Sequence, residues 1–297
     1  MQESDNHRHM NVLISADKKY LSKYKTMLYS LKKYNSDFTV YFLNKSLSPR
    51  IMKKFQKYLK KKINCDCVAI DMDEALYENL PINFDRISLE TYSRLFAQFC
   101  LPEELDRIIW LDADVICLKN IEDIYFQDFD NKSLIGTIDI AEDGVKEEYQ
   151  DKIGLDLGGA HHYINAGIII LNLKKLRETT TLQSILELCV KLKDSIKYQD
   201  QDIINVLYKG DIKYETKYFN YLLFYTESIE KEELEKIHFF HYIESEKPWR
   251  IKSHNAFSNY WWDIEIERGN RIKYYAYTFV RKIYMGIRKV YLRVRGA

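Results

Sequence analysis

The segment Asp106 to Tyr125, D-R-I-I-W-L-D-A-D-V-I-C-L-K-N-I-E-D-I-Y, limits what the chain can fold into more than any other stretch. Ile108 to Leu111 form a short continuous apolar run. That is the composition of a strand buried on both faces, and such strands belong to sheets covered by helices. The run ends abruptly in Asp112-Ala113-Asp114. A polar strand-to-loop turn with solvated carboxylates reads the same way. The two aspartates are two residues apart, so in extended backbone their side chains leave on one side and can converge on one point. Converging carboxylates repel unless a positive charge sits between them, and a divalent hard cation is the usual one. In α/β sheets the carboxyl ends of the strands are where ligands bind.

The preceding segments supply the start of such a sheet. Met10 to Ala16 reads as a strand, turned at Asp17 into a helical stretch from Tyr20 to Tyr34 with Leu21, Met27, Leu28 and Leu31 near one face. Phe38 to Leu43 is a second strand, and Ser48 to Lys61 a helix with Pro49 in the turn that tolerates it. The lysines of that helix share it with Ile51, Phe55 and Leu59, so they form a solvated outer face rather than a nucleic-acid patch. Asp66 to Ile70 is a third strand, and the alternation begins a parallel sheet. Ser88 to Phe99 is expected to be helical, with Ser88 as N-cap and Arg94 inside it, immediately before the acidic strand. Ile121 to Tyr125 reads as a helical turn, Leu134 to Ile138 as a strand stopped by Asp139, and Ala141 to His162 as a long loop over the site.

Tyr163 to Leu173, Y-I-N-A-G-I-I-I-L-N-L, is a buried strand entered through Asn165-Ala166-Gly167. Small residues there let backbone approach a ligand closely; a strand-entry bulge has the same composition. Helices follow at Leu182 to Leu192 and Gln199 to Tyr208. Asp200 and Asp202 at the start of the latter favour the helix N-terminus by themselves, which leaves Gln201 less explained. Ile237 to Tyr242 is the last core strand. His238 and His241 are three apart and face opposite sides, so one of them can serve the site. Lys247-Pro248-Trp249 adds a cation beside a rigid turn and an aromatic plate.

A chain of 297 residues with a formal net charge of +1 has no general attraction for nucleic acid. Five cysteines with no Cys-x-x-Cys pair read as free thiols in a reducing compartment, Cys65-Asp66-Cys67 being the one metal-like spacing among them. No apolar run is long enough to cross a bilayer and no signal-peptide core opens the chain, so a cytoplasmic protein is expected. Residues 1–9 are polar and read as a leader or tag remnant, 10–250 as the folded domain, and 251–297 as an appended segment. From Arg268 onward there is no acidic residue, while nine Lys and Arg alternate with aromatic and aliphatic side chains, a pattern suited to anionic lipid head groups. Helix packing on the body, or binding of an RNA, is the competing account.

Taken together, the motifs N-V-L-I-S-A-D-K-K-Y, T-Y-S-R-L, W-L-D-A-D, Y-I-N-A-G-I-I-I-L-N-L, Y-Q-D-Q-D-I-I-N and H-Y-I-E-S-E-K-P-W, in that order between Met10 and Trp249, resemble glycosyltransferase family 8. That group includes glycogenin and bacterial lipopolysaccharide galactosyl- and glucosyltransferases. The resemblance implies a GT-A fold, an α/β Rossmann-like domain with a mostly parallel central sheet, here followed by a C-terminal helical appendage. It also implies a uridine diphosphate hexose donor, manganese, and transfer with retention of configuration. Carried over motif by motif, Asp112, Asp114 and His241 hold the metal, Lys247 contacts the diphosphate, and Asp17 and Tyr20 hold the base. Arg94, Asp139, Asn165, Ala166, Gly167, Asp200 and Gln201 line the sugar pocket, Gln201 near the reacting carbon. The imidazole ligand tilts the metal from magnesium toward manganese.

The expected activity is transfer of glucose or galactose to a cell-surface glycan or glycolipid, from the inner face of the membrane and with the basic tail resting on it. Two departures bear on this. Glu244 stands where family members carry glycine, three residues after the histidine, and a carboxylate there repels a diphosphate unless it points outward or pairs with Lys247. Lys18 and Lys19 replace the usual acidic or amide residues near the base. A nucleotide-sugar-binding protein with little or no turnover is the alternative that Glu244 raises. A nucleotidyltransferase is a third, set back by the absence of glycine between Ser15 and Tyr20. Lys209 to Glu235 matches no motif.

Overall fold

The computed structural model describes residues 8–78, 80–81, 89–140, 161–223 and 228–295. The first half runs β1 (Met10–Ile14), α1 (Leu21–Tyr34), β2 (Phe38–Asn44), α2 (Pro49–Tyr58) and β3 (Asp66–Asp71), then α3 (Ala97–Cys100), β4 (Arg107–Leu111), β5 (Val115–Cys117), α4 (Glu122–Phe126) and β6 (Leu134–Ile138). The second half adds β7 (Ile164–Asn172), α5 (Leu173–Thr179), α6 (Leu182–Leu192), α7 (Asp200–Leu207), β8 (Ile212–Glu215), β9 (Tyr221–Leu223), α8 (Lys231–Leu234), β10 (Phe239–Tyr242), α9 (Ser258–Glu267) and α10 (Arg271–Arg295).

Seven strands form the central sheet in the order β3-β2-β1-β4-β7-β6-β8. Every neighbouring pair is parallel except the two that β7 makes, so β7 alone runs against the rest. The alternation of side chains along the buried strands divides the core in two. Ile108 and Trp110 of β4 join Leu13, Ile169 and Leu171 on one face, under α5, α6 and α7. Ile109 and Leu111 join Val12, Ile14, Ile168 and Ile170 on the other, under α1 and α2. Each fully buried aliphatic or aromatic side chain of this kind contributes about 1.5–3 kcal/mol to folding. The lysines of α2 lie on its outer face: Lys53, Lys54 and Lys57 are exposed while Met52 and Phe55 are buried.

A second sheet, β5-β10-β9, stands beside the first and is backed by α9. Two of its strands have only three residues, too short for any pattern to show in the sequence. Its third core gathers Phe240, Tyr242, Trp261 and Trp262. Residues 258–267 are thus packed on the body. Buried Glu265 ties α9 to α1 through Thr26 and to the next helix through Lys273 at 3.0 Å.

The segment expected to be helical from Ser88 to Phe99 is a 3-10 helix, Leu89–Phe96, followed by the single turn of α3. At three residues per turn Thr91 and Arg94 fall in one row, and Arg94 Nε donates to the Thr91 carbonyl at 3.0 Å. The expected N-cap Ser88 lies outside the described residues, as do 141–160 of the expected loop over the site.

Candidate active site

The reversed strand builds the site. Because β7 is antiparallel to β4, with Leu111 opposite Ile168, its first residues lie at the carboxyl end of β4. Asp112 N–H donates to the Gly167 carbonyl at 2.8 Å, which holds Asp112-Ala113-Asp114 against Asn165-Ala166-Gly167. The acidic pair occupies the turn between β4 and β5, not extended backbone, so strand parity is not what brings the carboxylates together. The turn does so by sending β5 into the second sheet, where Val115 pairs with His241 of β10.

The result is a cluster of Asp112, Asp114 and His241 with one ligand atom from each residue within 4.8 Å of the others. Among the described residues it is the one group of this kind. Gly167 is what lets it close. A Cβ added there overlaps Cε1 of His241 and comes within 3.0 Å of Asn165 Oδ1 and Asp112 Oδ2. His241 Nε2 stands 3.3 Å from Asp114 Oδ1, a buried oxygen that receives no aligned hydrogen bond. Lys247 Nζ stands 2.5 Å from Asp114 Oδ2 and also donates to the Tyr242 carbonyl. Burial pushes the Asp114 carboxyl up, but Lys247 and His241 overcome it and hold the group below the usual carboxylate range. Burial pushes the Asp112 carboxyl up, with Arg94 opposing and Asp114 adding to the rise. One carboxylate held charged beside an unsatisfied buried oxygen, a second one close by and an imidazole form a hard-and-intermediate donor set that suits a divalent cation.

Arg94 organises the other side. Its guanidinium lies 3.2 Å from Asp112 Oδ1 and 2.8 Å from Asp200 Oδ2, donates to the Ala166 carbonyl, and stacks 4.4 Å above the Trp110 ring. Its Nε hydrogen points at Thr91, so the Asp200 contact is an ion pair without an aligned hydrogen bond. Burial raises the Asp200 carboxyl and Arg94 opposes the rise. Trp110 donates to Asp112 Oδ1 at 2.7 Å.

Beyond Arg94 the amides form one network. Gln201 accepts from Ala166 N–H at 3.0 Å and donates to Asp139 Oδ2 and the Tyr163 hydroxyl, each at 3.2 Å. Asn165 donates to Asp139 Oδ2 at 2.9 Å and accepts from Gly167 N–H at 3.0 Å. Asp202, at the end of the network, accepts from Tyr163 at 2.5 Å.

Ten of the sequence-expected residues therefore meet in this constellation: Arg94, Asp112, Asp114, Asp139, Asn165, Ala166, Gly167, Asp200, Gln201 and His241, with Lys247 adjoining Asp114. His238 precedes β10 and is half-buried, its imidazole lowered by burial. Tyr20 is near enough that, after burial itself, Asp114 contributes to raising its phenol. Asp17 spends one oxygen on the turn into α1, accepting from the N–H groups of Lys19 and Tyr20 at 2.8 and 3.0 Å. Cys65 and Cys67 have thiols pushed up to about 12 by burial, which disfavours metal ligation. Glu244 is exposed with φ of 51°, so the backbone there keeps a glycine-like shape. Trp110, Tyr163, Asp202 and Asn220 were not anticipated. Asn220 lies in the segment without a motif, and its one signal is a lone amide in the apolar run Phe219 to Leu223.

Comparison with known proteins identifies the family and the fold. The sequence profile of glycosyl transferase family 8 matches residues 11–253. A putative glycosyltransferase of Haemophilus influenzae is 28% identical over 213 residues, covering 71% of this chain and 63% of that protein. The lipopolysaccharide 1,2-glucosyltransferase of Escherichia coli K12 is 31% identical over 173 residues, covering 53% and 48%. The chain spans about three fifths of the length of the first curated relatives it matches. Among solved structures, the galactosyltransferase LgtC in complex with donor and acceptor sugar analogues superposes with a TM-score of 0.74 at 23% identity, covering 86% of this chain and 95% of that one. The glycosyltransferase GlyE of Streptococcus pneumoniae superposes at 0.63 and 22%, covering 86% and 60%. The fold is GT-A, and the chain belongs to glycosyl transferase family 8.

Proposed function

We propose that the protein is a metal-dependent, retaining hexosyltransferase that takes glucose or galactose from a uridine diphosphate donor and delivers it to a cell-surface glycan or glycolipid. The observation that carries this reading is the convergence of Asp112, Asp114 and His241 from two distant segments beside a buried polar wall. Those three residues would hold Mn2+, with Mg2+ as the second choice. A divalent cation bound there supplies positive charge where the diphosphate gains negative charge as the sugar-phosphate bond breaks. Lys247 adds a second positive charge on the same side, and Arg94 orients Asp112 while balancing Asp200. Asp139, Asn165, Asp200 and Gln201 offer both donors and acceptors for sugar hydroxyls. Asp17 and Tyr20, at the end of β1, would flank the base.

The names of the relatives support a hexose donor and a surface glycan: one is a lipopolysaccharide glucosyltransferase and one solved neighbour a galactosyltransferase.

The tail would place the enzyme on the inner face of the membrane. No described helix is long and apolar enough to cross a bilayer. The 25 residues of α10 extend about 38 Å, and Tyr274 and Tyr277 anchor its start on Trp262. Ile272, Tyr275, Phe279, Ile283 and Ile287 project outward along one stripe, with Lys282 and Lys289 beside it. An exposed apolar stripe flanked by cations fits an anionic interface. A thermal-shift screen of nucleotide sugars with and without Mn2+ tests the donor reading. A metal-dependent rise with uridine diphosphate glucose or galactose is expected, and no shift with either contradicts it.

A further inference from the structure

His241 has two ring nitrogens, and only a nitrogen without a proton can bind a cation. Nε2 faces Asp114 at 3.3 Å, while Nδ1 lies 3.1 Å from Asn220 Oδ1. Which nitrogen carries the proton follows from a chain of hydrogen bonds whose far end is fixed. Asp139 Oδ2 is a carboxylate oxygen and can only accept, so the Asn165 group 2.9 Å away is its NH2. Asn165 Oδ1 therefore faces inward, where it accepts from Gly167 N–H at 3.0 Å, a backbone donor that cannot be reversed. The Asn220 group 3.1 Å from that oxygen must in turn be its NH2, leaving Asn220 Oδ1 toward the imidazole. An amide oxygen accepts, so the ring nitrogen beside it must donate.

From this we infer that Asn220 is a positioning residue that holds the neutral His241 ring in the Nδ1–H tautomer, keeping the Nε2 lone pair available to a cation at Asp112 and Asp114. Asn220 and His241 are both buried, 1% and 3% exposed, so water does not substitute for either partner. The geometry works against the alternative. If Nε2 carried the proton, Nδ1 would confront the Asn220 oxygen with two lone pairs at 3.1 Å. Turning the amide over would set its oxygen against Asn165 Oδ1 instead. The preference is not what the immediate surroundings of Nε2 favour, since a carboxylate next to it attracts a proton. The relay from Asp139 and the Gly167 amide decides the matter. The same two residues, Asp139 and Asn165, stand in the sugar wall, so Asn220 joins that wall to the metal side.

This inference rests on the metal-site reading above, and the test separates the two. Long-range proton-nitrogen correlation spectra of the metal-free protein, labelled with 15N-histidine and recorded at pH 8.5, report the tautomer of His241, assigned by its loss in His241→Gln. The expected result is a protonated Nδ1 and an unprotonated Nε2. A ring protonated on Nε2 overturns the role of Asn220 whatever the metal does. The acceptor toward Nδ1 is the Asn220 amide oxygen. Asn220→Leu removes it and is expected to move the proton toward Nε2 and weaken Mn2+ binding, followed by electron paramagnetic resonance, about 10–100-fold. An unchanged tautomer and unchanged affinity in Asn220→Leu also overturn it. Wild-type protein that fails to bind Mn2+ removes the metal-site reading, while the metal-free spectrum still judges Asn220. That spectrum also decides if Asn220→Leu does not fold.

Discussion

Replacing Gly167 by alanine adds one methyl group at the point where the site is closed most tightly. The new Cβ overlaps Cε1 of His241 and sits 3.0 Å from both Asn165 Oδ1 and Asp112 Oδ2. None of these neighbours is a loose side-chain end. His241 is buried between Asn220 and Asp114, Asn165 is bonded to Asp139 and Gly167, and Asp112 is held by Trp110 and Arg94. Overpacking of this kind costs about 1–3 kcal/mol, and at roughly 2–4 °C per kcal/mol for a domain of this size the melting temperature should fall about 2–12 °C. The easier relief is a displaced His241 ring, so Mn2+ affinity should drop at least about tenfold. Gly286→Ala is the matched control. Nothing lies within 4 Å of its added Cβ, and alanine in the middle of α10 favours helix by up to about 1 kcal/mol. The assay is melting with and without Mn2+, together with a direct Mn2+ titration. Gly167→Ala that melts and binds Mn2+ like wild type refutes the steric reasoning.

Three further outcomes follow from named contacts. Arg94→Lys leaves one compact ammonium where a planar fork spans Asp112, Asp200 and two carbonyls, so it should lose about 2 kcal/mol of stability and the donor-dependent thermal shift; retained donor binding contradicts the organising role. Glu265 is buried. Burial raises its carboxyl, but Thr26, Arg268 and Lys273 prevail and hold it below its usual value. A depressed carboxyl stabilises the fold above the unfolded-state pKa, and this is lost as pH falls through the folded value. The gap in melting temperature between wild type and Glu265→Gln should therefore be full at pH 7 and close below about pH 4; a gap independent of pH counts against it. Glu244→Gly relieves a left-handed backbone and should add about 1 kcal/mol of stability without creating activity absent from wild type; turnover that appears only in the variant makes the natural chain a binder.

The parts of this molecule written in continuous periodic stretches were readable from sequence. The apolar run of β4, the alternation of strands and helices before it, and the small-residue entry to β7 placed the acidic pair, Asn165 and Gly167 at one end of a mostly parallel sheet. Strand parity left one of His238 and His241 for the site, and the family resemblance pointed to His241. What stayed hidden depends on contacts between distant residues. The reversal of β7 is not visible in its composition, since a strand buried on both faces looks the same in either direction. The second sheet is made of strands of three or four residues, set by pairing and not by pattern. The 3-10 geometry of residues 89–96 reflects what Arg94 must reach. Asn220 touches His241 and Asn165, 21 and 55 residues away in the chain, and no local spacing announces that.

The central claim is that one divalent cation is held by Asp112, Asp114 and His241. Titration of Mn2+ into the protein in the presence of uridine diphosphate, with free ion read by electron paramagnetic resonance, addresses it directly. One bound ion per chain in wild type, and none at the same concentrations in Asp114→Asn or His241→Ala, is the predicted result. No binding by wild type, or equal binding by the His241→Ala variant, would contradict the account.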